Sequence, residues 1–231
     1  MCIRDSYYRP PEWFFANADR YDAYDRKAPK VYAGEYASHH KTRANNFEAA
    51  LSEAAFLTGV ERNADVVRLA TYAPLFAHAE AWQWRPDLIW FDNTRVLLTP
   101  NYYVQQFYSL NKGTHTLALT ENGVPPTGQE GLYASAVLDK ERNCVVVKVV
   151  NAPDCELSLV VRLNGLGRKQ APAAEGTVVY MQSDDGLAVN TFDNPTAVVP
   201  HTGTIALSAD SCTFTAMPHS FQVVTIPFVR K

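Results

Sequence analysis

The pattern of apolar residues changes near residue 111, and this change limits the folds open to the chain. Before it, short apolar runs alternate with segments of helical periodicity; after it, β-branched runs separated by turn residues continue to the end. Alternating strands and helices are typical of β/α units, whereas a series of short strands is typical of an antiparallel sandwich. We therefore predict two domains, residues 1–112 and residues 113–231.

The length of the chain limits how much of a barrel the first region can form. The chain has 231 residues, whereas a complete eight-stranded β/α barrel takes about 250 residues by itself. The predicted fold class is therefore α/β plus all-β, with an incomplete β/α (TIM) barrel followed by an antiparallel β-sandwich.

Charge and composition exclude several classes of function. The chain has 21 Lys and Arg against 24 Asp and Glu, which gives a net charge of −3. It lacks the excess of basic residues that nucleic-acid binding needs, so we expect no nucleic-acid partner. No run of about 18 apolar residues is present, so we expect no membrane partner. The cysteines and the scattered histidines show no metal-ligand spacing, and we expect no metal and no cofactor.

Capping patterns predict the helices of the first region. Asn45 with Glu48 three residues later resembles a capping box, and the helix that it opens is predicted to stop at Gly59. Thr99 precedes a proline and predicts the N-cap of a helix over residues 101–109. A shorter helix is predicted after the proline pair near the N-terminus.

Strand patterns dominate the second region. Between turn signals we predict an antiparallel sandwich of seven short strands. They are residues 115–119, 133–138, 144–150, 157–163, 177–181, 204–207 and 221–229. In the first region, residues 30–37 are predicted to form a strand, and residues 63–77 are ambiguous between a helical turn and a short strand.

Glu35 is the candidate catalytic residue that the local pattern indicates. A period of two places Val31, Ala33 and Glu35 on one face of the strand over residues 30–37, with Glu35 near its C-terminal end. Barrel enzymes carry their catalytic residues at the carboxyl ends of the strands. A solvent-facing carboxylate at a strand end gives the same pattern, so local pattern alone leaves both interpretations open.

A series of ordered blocks makes the first region recognisable. They are YYRPPEWF (7–14), RYDAYDR (20–26), VYAGEYA (31–37), NFEAA (46–50), ERNAD (61–65), YAPLFA (72–77), LIWFDN (88–93) and TPNYYVQ (99–105). Together they resemble the late barrel strands of the α-L-arabinofuranosidases of glycoside hydrolase family 51. The resemblance covers residues 7–113, and residues 114–231 match the sandwich of that family more loosely.

The resemblance implies a retaining glycosidase with Glu35 as the nucleophile on barrel strand seven. In that mechanism one carboxyl group attacks the anomeric carbon and a second, about 5–5.5 Å away, acts first as acid and then as base. The resemblance also implies substrate-binding roles for Tyr8, His39, Trp90 and Asn93. The implied partner is an arabinose-containing polysaccharide or oligosaccharide, and the implied activity is hydrolysis of terminal non-reducing α-L-arabinofuranosides in arabinan or arabinoxylan.

Structural alternatives accompany these roles. Tyr8 is also compatible with an interfacial tyrosine under a helix, and His39 with a solvated loop histidine. Trp82 and Trp84 compete with Trp90 for a place beside the sugar.

The acid/base carboxylate of the resembled family is absent from this sequence. In the family it lies in an Asn-Glu pair on strand four, and no residue before Tyr7 can supply it. Ser6 stands where the family has a histidine two residues before the tyrosine equivalent to Tyr8. Because residues 1–6 match nothing in the family, we expect a foreign start in place of native sequence and an inactive isolated chain. The compartment stays undefined, with secretion of the native protein left open.

Two other functional hypotheses remain at this point. One is a non-catalytic carbohydrate-binding or structural β-sandwich module, whose binding surface would be the aromatic loop that is predicted to carry Trp82, Trp84 and Trp90. The other is a barrel glycosidase of the same layout with a pyranose substrate, because one fold and one chemistry recur across substrates.

Overall fold

The computed structural model describes residues 2–167 and 170–230, which form three α-helices and fifteen strands. The helices are α1 (Pro11–Ala16), α2 (Phe47–Arg62) and α3 (Pro100–Leu110). The strands of the first region are β1 (Cys2–Arg9), β2 (Lys30–Ser38), β3 (Val67–Tyr72), β4 (Phe76–His78), β5 (Ile89–Phe91) and β6 (Val96–Leu98). Those of the second are β7 (His115–Leu117), β8 (Leu132–Asp139), β9 (Cys144–Asn151), β10 (Leu157–Arg162), β11 (Gln170–Pro172), β12 (Glu175–Gln182), β13 (His201–Ala206), β14 (Ser211–Ala216) and β15 (Ser220–Arg230).

The sheets confirm the predicted fold class. Strands β1, β2 and β3 are parallel neighbours, and α2 connects β2 to β3 as in a barrel unit. Strands β4, β5 and β6 form a small separate sheet. In the second region, β13, β12, β15, β9, β8 and β7 follow one another in an antiparallel sheet of seven strands that β11 completes by pairing with β15. Strands β10 and β14 form the second layer of the sandwich.

All seven strands predicted for the second region are present, but two others were missed. Strand β14 shows the alternation of a half-buried strand, and β11 has only three residues. Residues 67–72 resolve the ambiguous segment as strand β3. Trp90, predicted to lie in a loop, belongs to strand β5.

The face that Glu35 occupies differs from the prediction. The register between β1 and β2 shifts by one residue at Gly34, as in a β-bulge. Val31 and Ala33 lie with Tyr36 in the buried core, whereas the Glu35 side chain is 39% exposed. The prediction that Val31, Ala33 and Glu35 share one face is therefore wrong, because the extra residue reverses the alternation of side chains.

The helix caps agree with the sequence at one site and differ by one residue at another. The Thr99 hydroxyl accepts a hydrogen bond from the Tyr102 backbone N–H at 3.2 Å, which confirms the predicted N-cap of α3. For α2 the N-cap is Asn46, whose Oδ1 accepts from the Ala49 N–H at 3.0 Å. The prediction of Asn45 as the cap is wrong: its side chain instead donates to groups on β3 and α3.

Gly59 does not end α2, contrary to the prediction. The helix continues to Arg62, and Gly59 is required for close packing. A Cβ atom placed on Gly59 would lie 1.8 Å from the carbonyl oxygen of Ala18. The glycine therefore lets the segment after α1 approach the backbone of α2.

The seven-stranded sheet is buried on both faces. One face packs against the helices in a core that contains Phe56, Phe107, Val146 and Phe221. The other packs against β10 and β14 in a second core around Phe214. The helices of the first region and the sheet of the second thus share one apolar layer. The division at residue 112 stays a prediction.

A buried ion pair crosses between α2 and the sandwich. Lys148 on β9 is fully buried, and its ammonium donates to Glu61 Oε1 at 2.6 Å and to the Asn111 carbonyl at 2.8 Å. The Ser135 hydroxyl donates to the other oxygen of Glu61 at 2.6 Å. Burial lowers the pKa of Lys148, and the adjacent Glu61 carboxylate opposes this shift. The pairing compensates a charge that would be costly to bury alone.

We expect Gly59→Ala to lower the free energy of unfolding by about 1–3 kcal/mol, because the methyl group has to displace the backbone at Ala18. Urea denaturation followed by circular dichroism measures the change. Gly203→Ala is the matched control, since its Cβ would meet its nearest neighbour at an ordinary 3.4 Å. Equal stability of the two variants would contradict the packing role of Gly59.

Candidate functional site

Glu35 and Tyr8 meet on neighbouring parallel strands. The Tyr8 hydroxyl donates to Glu35 Oε2 at 2.8 Å, and Arg4 Nη2 donates to Oε1 at 2.9 Å. Burial, together with the hydrogen bond to Glu35, raises the pKa of Tyr8 to about 12. Tyr8 therefore keeps its proton at neutral pH and acts as a donor to the carboxylate. We assign no catalytic role to Arg4.

His39 packs directly against Tyr8. Their ring centroids lie 5.2 Å apart with an interplanar angle of 28°. The His39 Nδ1 atom contacts Nη1 of Arg43, and its Nε2 is buried without a hydrogen-bond partner in the described part of the chain. Burial and then the charge of Arg43 lower the pKa of His39 to about 4. The imidazole is therefore neutral at neutral pH and supports Tyr8 through ring stacking.

Trp90 and Asn93 lie on and after strand β5. The Arg85 guanidinium lies 5.0 Å from the Trp90 ring centroid, and Trp90 lines a cavity of about 310 Å³ together with Arg43. Asn93 is exposed, and its Oδ1 lies 3.4 Å from Nε2 of His78. Trp90 and Arg43 thus line the same cavity, and Arg43 contacts His39 beside the Glu35 site. Among the described residues, no contact connects Asn93 to the Glu35 site.

Glu53 is a buried carboxyl group behind strand β2 that the sequence interpretation missed. It accepts a hydrogen bond from the Ser38 backbone N–H at 2.7 Å, and Gln105 Nε2 lies 3.5 Å from its other oxygen. Gln105 in turn accepts from the Tyr36 hydroxyl at 2.5 Å. Burial raises the pKa of Glu53 to about 8, against the opposing hydrogen bonds from Ser38, Asn101 and Gln105. Glu53 therefore carries a proton at neutral pH.

The position of Glu53 in the sequence already indicated that its carboxyl group is buried and hydrogen-bonded. It lies three residues after Ala50 and four before Leu57, within the apolar stripe of α2. A carboxyl group on the buried face of a helix requires hydrogen-bond partners. Here those partners fix the end of the strand that carries Glu35.

Two features are absent from the described residues: a cluster of metal ligands and a membrane-spanning helix. Within residues 2–167 and 170–230, no three His, Cys, Asp or Glu side chains come together in an arrangement able to hold a metal ion. None of the helices in the same residues has the length and apolar character needed to cross a membrane.

Comparison with known proteins identifies the family. The fold defines the class as part of a β/α barrel joined to an antiparallel β-sandwich. A family model, the α-L-arabinofuranosidase C-terminal domain, matches residues 19–220. The chain belongs to this family, and the resemblance drawn from the sequence blocks is confirmed.

Curated relatives are α-L-arabinofuranosidases of greater length. An extracellular exo-α-L-arabinofuranosidase of Streptomyces chartreusis is 50% identical over 135 residues, which are 56% of this chain and 16% of the relative. α-L-Arabinofuranosidase 1 of Arabidopsis thaliana is 32% identical over 90% of this chain and 30% of its own length. The chain thus spans less than a third of these relatives.

Solved structures support the same fold. An arabinose-bound α-L-arabinofuranosidase, MgGH51, superposes with a TM-score of 0.84 at 30% identity, covering 100% of this chain and 37% of its own. The arabinose complex of the Thermotoga maritima enzyme has a TM-score of 0.72 at 18% identity, covering 100% of this chain and 52% of its own. The second likeness shows the fold alone.

Replacing Glu53 tests the buried network through the pH dependence of stability. In an unfolded chain a glutamate has a pKa of about 4.3, whereas in the folded protein burial raises the pKa of Glu53 to about 8. The folded state binds this proton more tightly, so the stabilising contribution is complete below the unfolded pKa and is lost as the pH rises towards 8. We expect Glu53→Gln to flatten the pH dependence by about 1 kcal/mol per pH unit between about pH 5 and 8.

Urea denaturation at several pH values measures this slope. Glu12→Gln is the control, because Glu12 is exposed on α1. A slope in Glu53→Gln equal to that of the wild-type chain would show that Glu53 does not bind a proton on folding.

Proposed function

We propose that the whole protein to which this chain belongs is a retaining α-L-arabinofuranosidase that hydrolyses terminal non-reducing α-L-arabinofuranosides in arabinan or arabinoxylan. The observation that carries the proposal is the placement of Glu35 near the carboxyl end of β2. There its partly exposed carboxylate accepts a hydrogen bond from Tyr8 at 2.8 Å. The names of the curated relatives and of MgGH51 support the substrate class.

Glu35 is the nucleophile in this proposal. One carboxylate oxygen attacks the anomeric carbon and forms a glycosyl ester, while the bond to the leaving-group oxygen breaks and that oxygen takes a proton from a second carboxyl group. Water then cleaves the ester, with the second group now acting as base. The family resemblance places that second group on strand four of the barrel, upstream of this sequence, so we expect the isolated chain to be inactive.

The other site residues position the nucleophile and the sugar. Tyr8 keeps its proton and fixes one oxygen of Glu35, and the neutral ring of His39 holds Tyr8 in place. Trp90 offers an aromatic face for the apolar side of a sugar. Asn93 offers an exposed amide for a sugar hydroxyl.

Exposed tryptophans favour one alternative, a carbohydrate-binding module without hydrolysis. Trp82 is 45% exposed and Trp84 is 71% exposed, and large exposed aromatic rings are typical of interaction surfaces. In this alternative Glu35 would have no catalytic role, and the aromatic loop would retain the polysaccharide.

A completed chain tests the catalytic proposal. Residues 7–231 are joined behind the upstream part of the Arabidopsis thaliana relative, and hydrolysis of an aryl α-L-arabinofuranoside is measured. We expect Glu35→Gln to lower kcat/KM at least about a thousandfold, because the ester cannot form. We also expect azide to restore turnover of Glu35→Gly by occupying the space of the lost carboxylate.

The control is Glu12→Gln, which removes an exposed carboxylate from α1. Wild-type activity in Glu35→Gln, without azide, would remove Glu35 from the nucleophile role. Absence of hydrolysis in the completed wild-type chain, together with retention on arabinoxylan, would favour the binding module.

A further inference from the structure

A long loop of the sandwich packs against helix α2 and strand β6 of the first region, which we call the barrel side of the molecule. Residues 183–200 connect β12 to β13. The Phe47 N–H donates to the Ala188 carbonyl at 2.9 Å, and the Glu48 N–H donates to the Gly186 carbonyl at 2.9 Å. The loop therefore supplies acceptors for the first two amides of α2, which no helical carbonyl can satisfy.

Asn190 ties the same loop to strand β6. It is buried, and its Nδ2 donates to the carbonyls of Leu98 and Val198, each at 2.9 Å. Its Oδ1 accepts from the Val198 N–H at 2.8 Å. These bonds satisfy both ends of the amide and hold residues 189–192 in a defined position against the barrel side.

A cavity of about 310 Å³ lies between this loop and the barrel side. Its wall includes the rings of Trp90 and Phe192 and the side chains of Arg43 and Arg85. The guanidinium of Arg85 lies 5.0 Å from the Trp90 ring centroid, and that of Arg95 lies 4.7 Å from the Phe192 centroid. Two aromatic rings, each with a guanidinium group over it, and the side chain of Arg43 thus border one concave space.

The cavity is adjacent to the site around Glu35. Arg43, in its wall, contacts His39, and His39 stacks on Tyr8, the hydrogen-bond donor to Glu35. The segment that carries His39 and Arg43 directly follows the carboxyl end of β2. A substrate whose terminal sugar reaches Glu35 can therefore extend into this cavity.

The chemistry of the wall matches a neutral sugar chain. Pyranose and furanose rings have an apolar face that packs on aromatic side chains and hydroxyl groups that accept from guanidinium donors. Within residues 2–167 and 170–230, neither Arg43 nor Arg85 forms an ion pair. Nη1 of Arg43 contacts His39, and its other N–H groups can donate to a ligand. Arg85 lies over the rings of Trp82 and Trp90 and carries its N–H groups at the edge of the cavity.

We propose that this cavity binds the leaving-group side of the substrate, the sugar units to which the terminal arabinose is attached. Phe192, from the sandwich, is then a specificity-determining residue for an activity centred on the barrel. The identity of the ligand rests on the proposed function. The cavity itself is lined by residues of this chain, so the isolated chain binds the oligosaccharide even where it cannot cleave it.

Calorimetric titration of the isolated chain with arabinoxylan oligosaccharides and with arabino-oligosaccharides tests the proposal. We expect binding of at least one of them, and a dissociation constant about tenfold higher for Phe192→Ala, equivalent to about 1.4 kcal/mol. Phe192→Tyr keeps the ring and is expected to bind within about twofold of the wild-type chain. Leu187→Ala is the control, because Leu187 is a 55% exposed apolar residue of the same loop outside the cavity wall.

Circular dichroism checks that each variant is folded. Arg43→Gln provides a second probe at an exposed position, and we expect it to weaken binding severalfold. Absence of binding by the wild-type chain, or unchanged affinity in both Phe192→Ala and Arg43→Gln, overturns the proposal. Failure of the proposed function is seen separately, as absence of arabinofuranoside hydrolysis by the completed wild-type chain, and leaves these binding results interpretable.

Discussion

The one-residue register shift at Gly34 decides which side of the parallel sheet carries the candidate nucleophile. Before the shift, Val31 and Ala33 face the buried layer; after it, Tyr36 takes that direction and Glu35 faces outward beside Tyr8. Without the extra residue, a carboxylate would enter an apolar core at a high energetic cost. A local irregularity in the backbone therefore allows one strand to serve both packing and chemistry.

The sandwich follows the barrel strands in the sequence, and it also supports the site around Glu35. Its large sheet forms one wall of the core that holds α2, and the buried pair of Lys148 and Glu61 joins the same two elements. On its inner side α2 carries Glu53, whose hydrogen bond to Ser38 fixes the end of β2. Residues 183–200 then cap α2 and complete the wall of the cavity. The site is thus built on elements that depend on both regions.

Features with a local cause could be predicted from the sequence. The cap at Thr99 and the strands of the sandwich follow from residue type and periodicity, and the family follows from ordered blocks. Features with a distant cause could not be predicted. A period of two cannot show an extra residue at Gly34, and Gly59 has the residue type of a helix stop but is required by its contact with Ala18. The partners of Glu53 lie on other elements, so its place in the apolar stripe of α2 indicates burial but its hydrogen bonds emerged only from the fold.

Covalent trapping tests most directly whether Glu35 forms a bond to the sugar. The completed chain is incubated with an arabinofuranoside that carries fluorine at carbon 2 and an activated leaving group, so that the ester forms faster than water cleaves it. Peptide mass spectrometry then locates the added sugar. We expect one fluoropentosyl group on the peptide that contains residues 31–37, attached to Glu35. A label on any other carboxylate, or hydrolysis with retention and no label at Glu35, would contradict it.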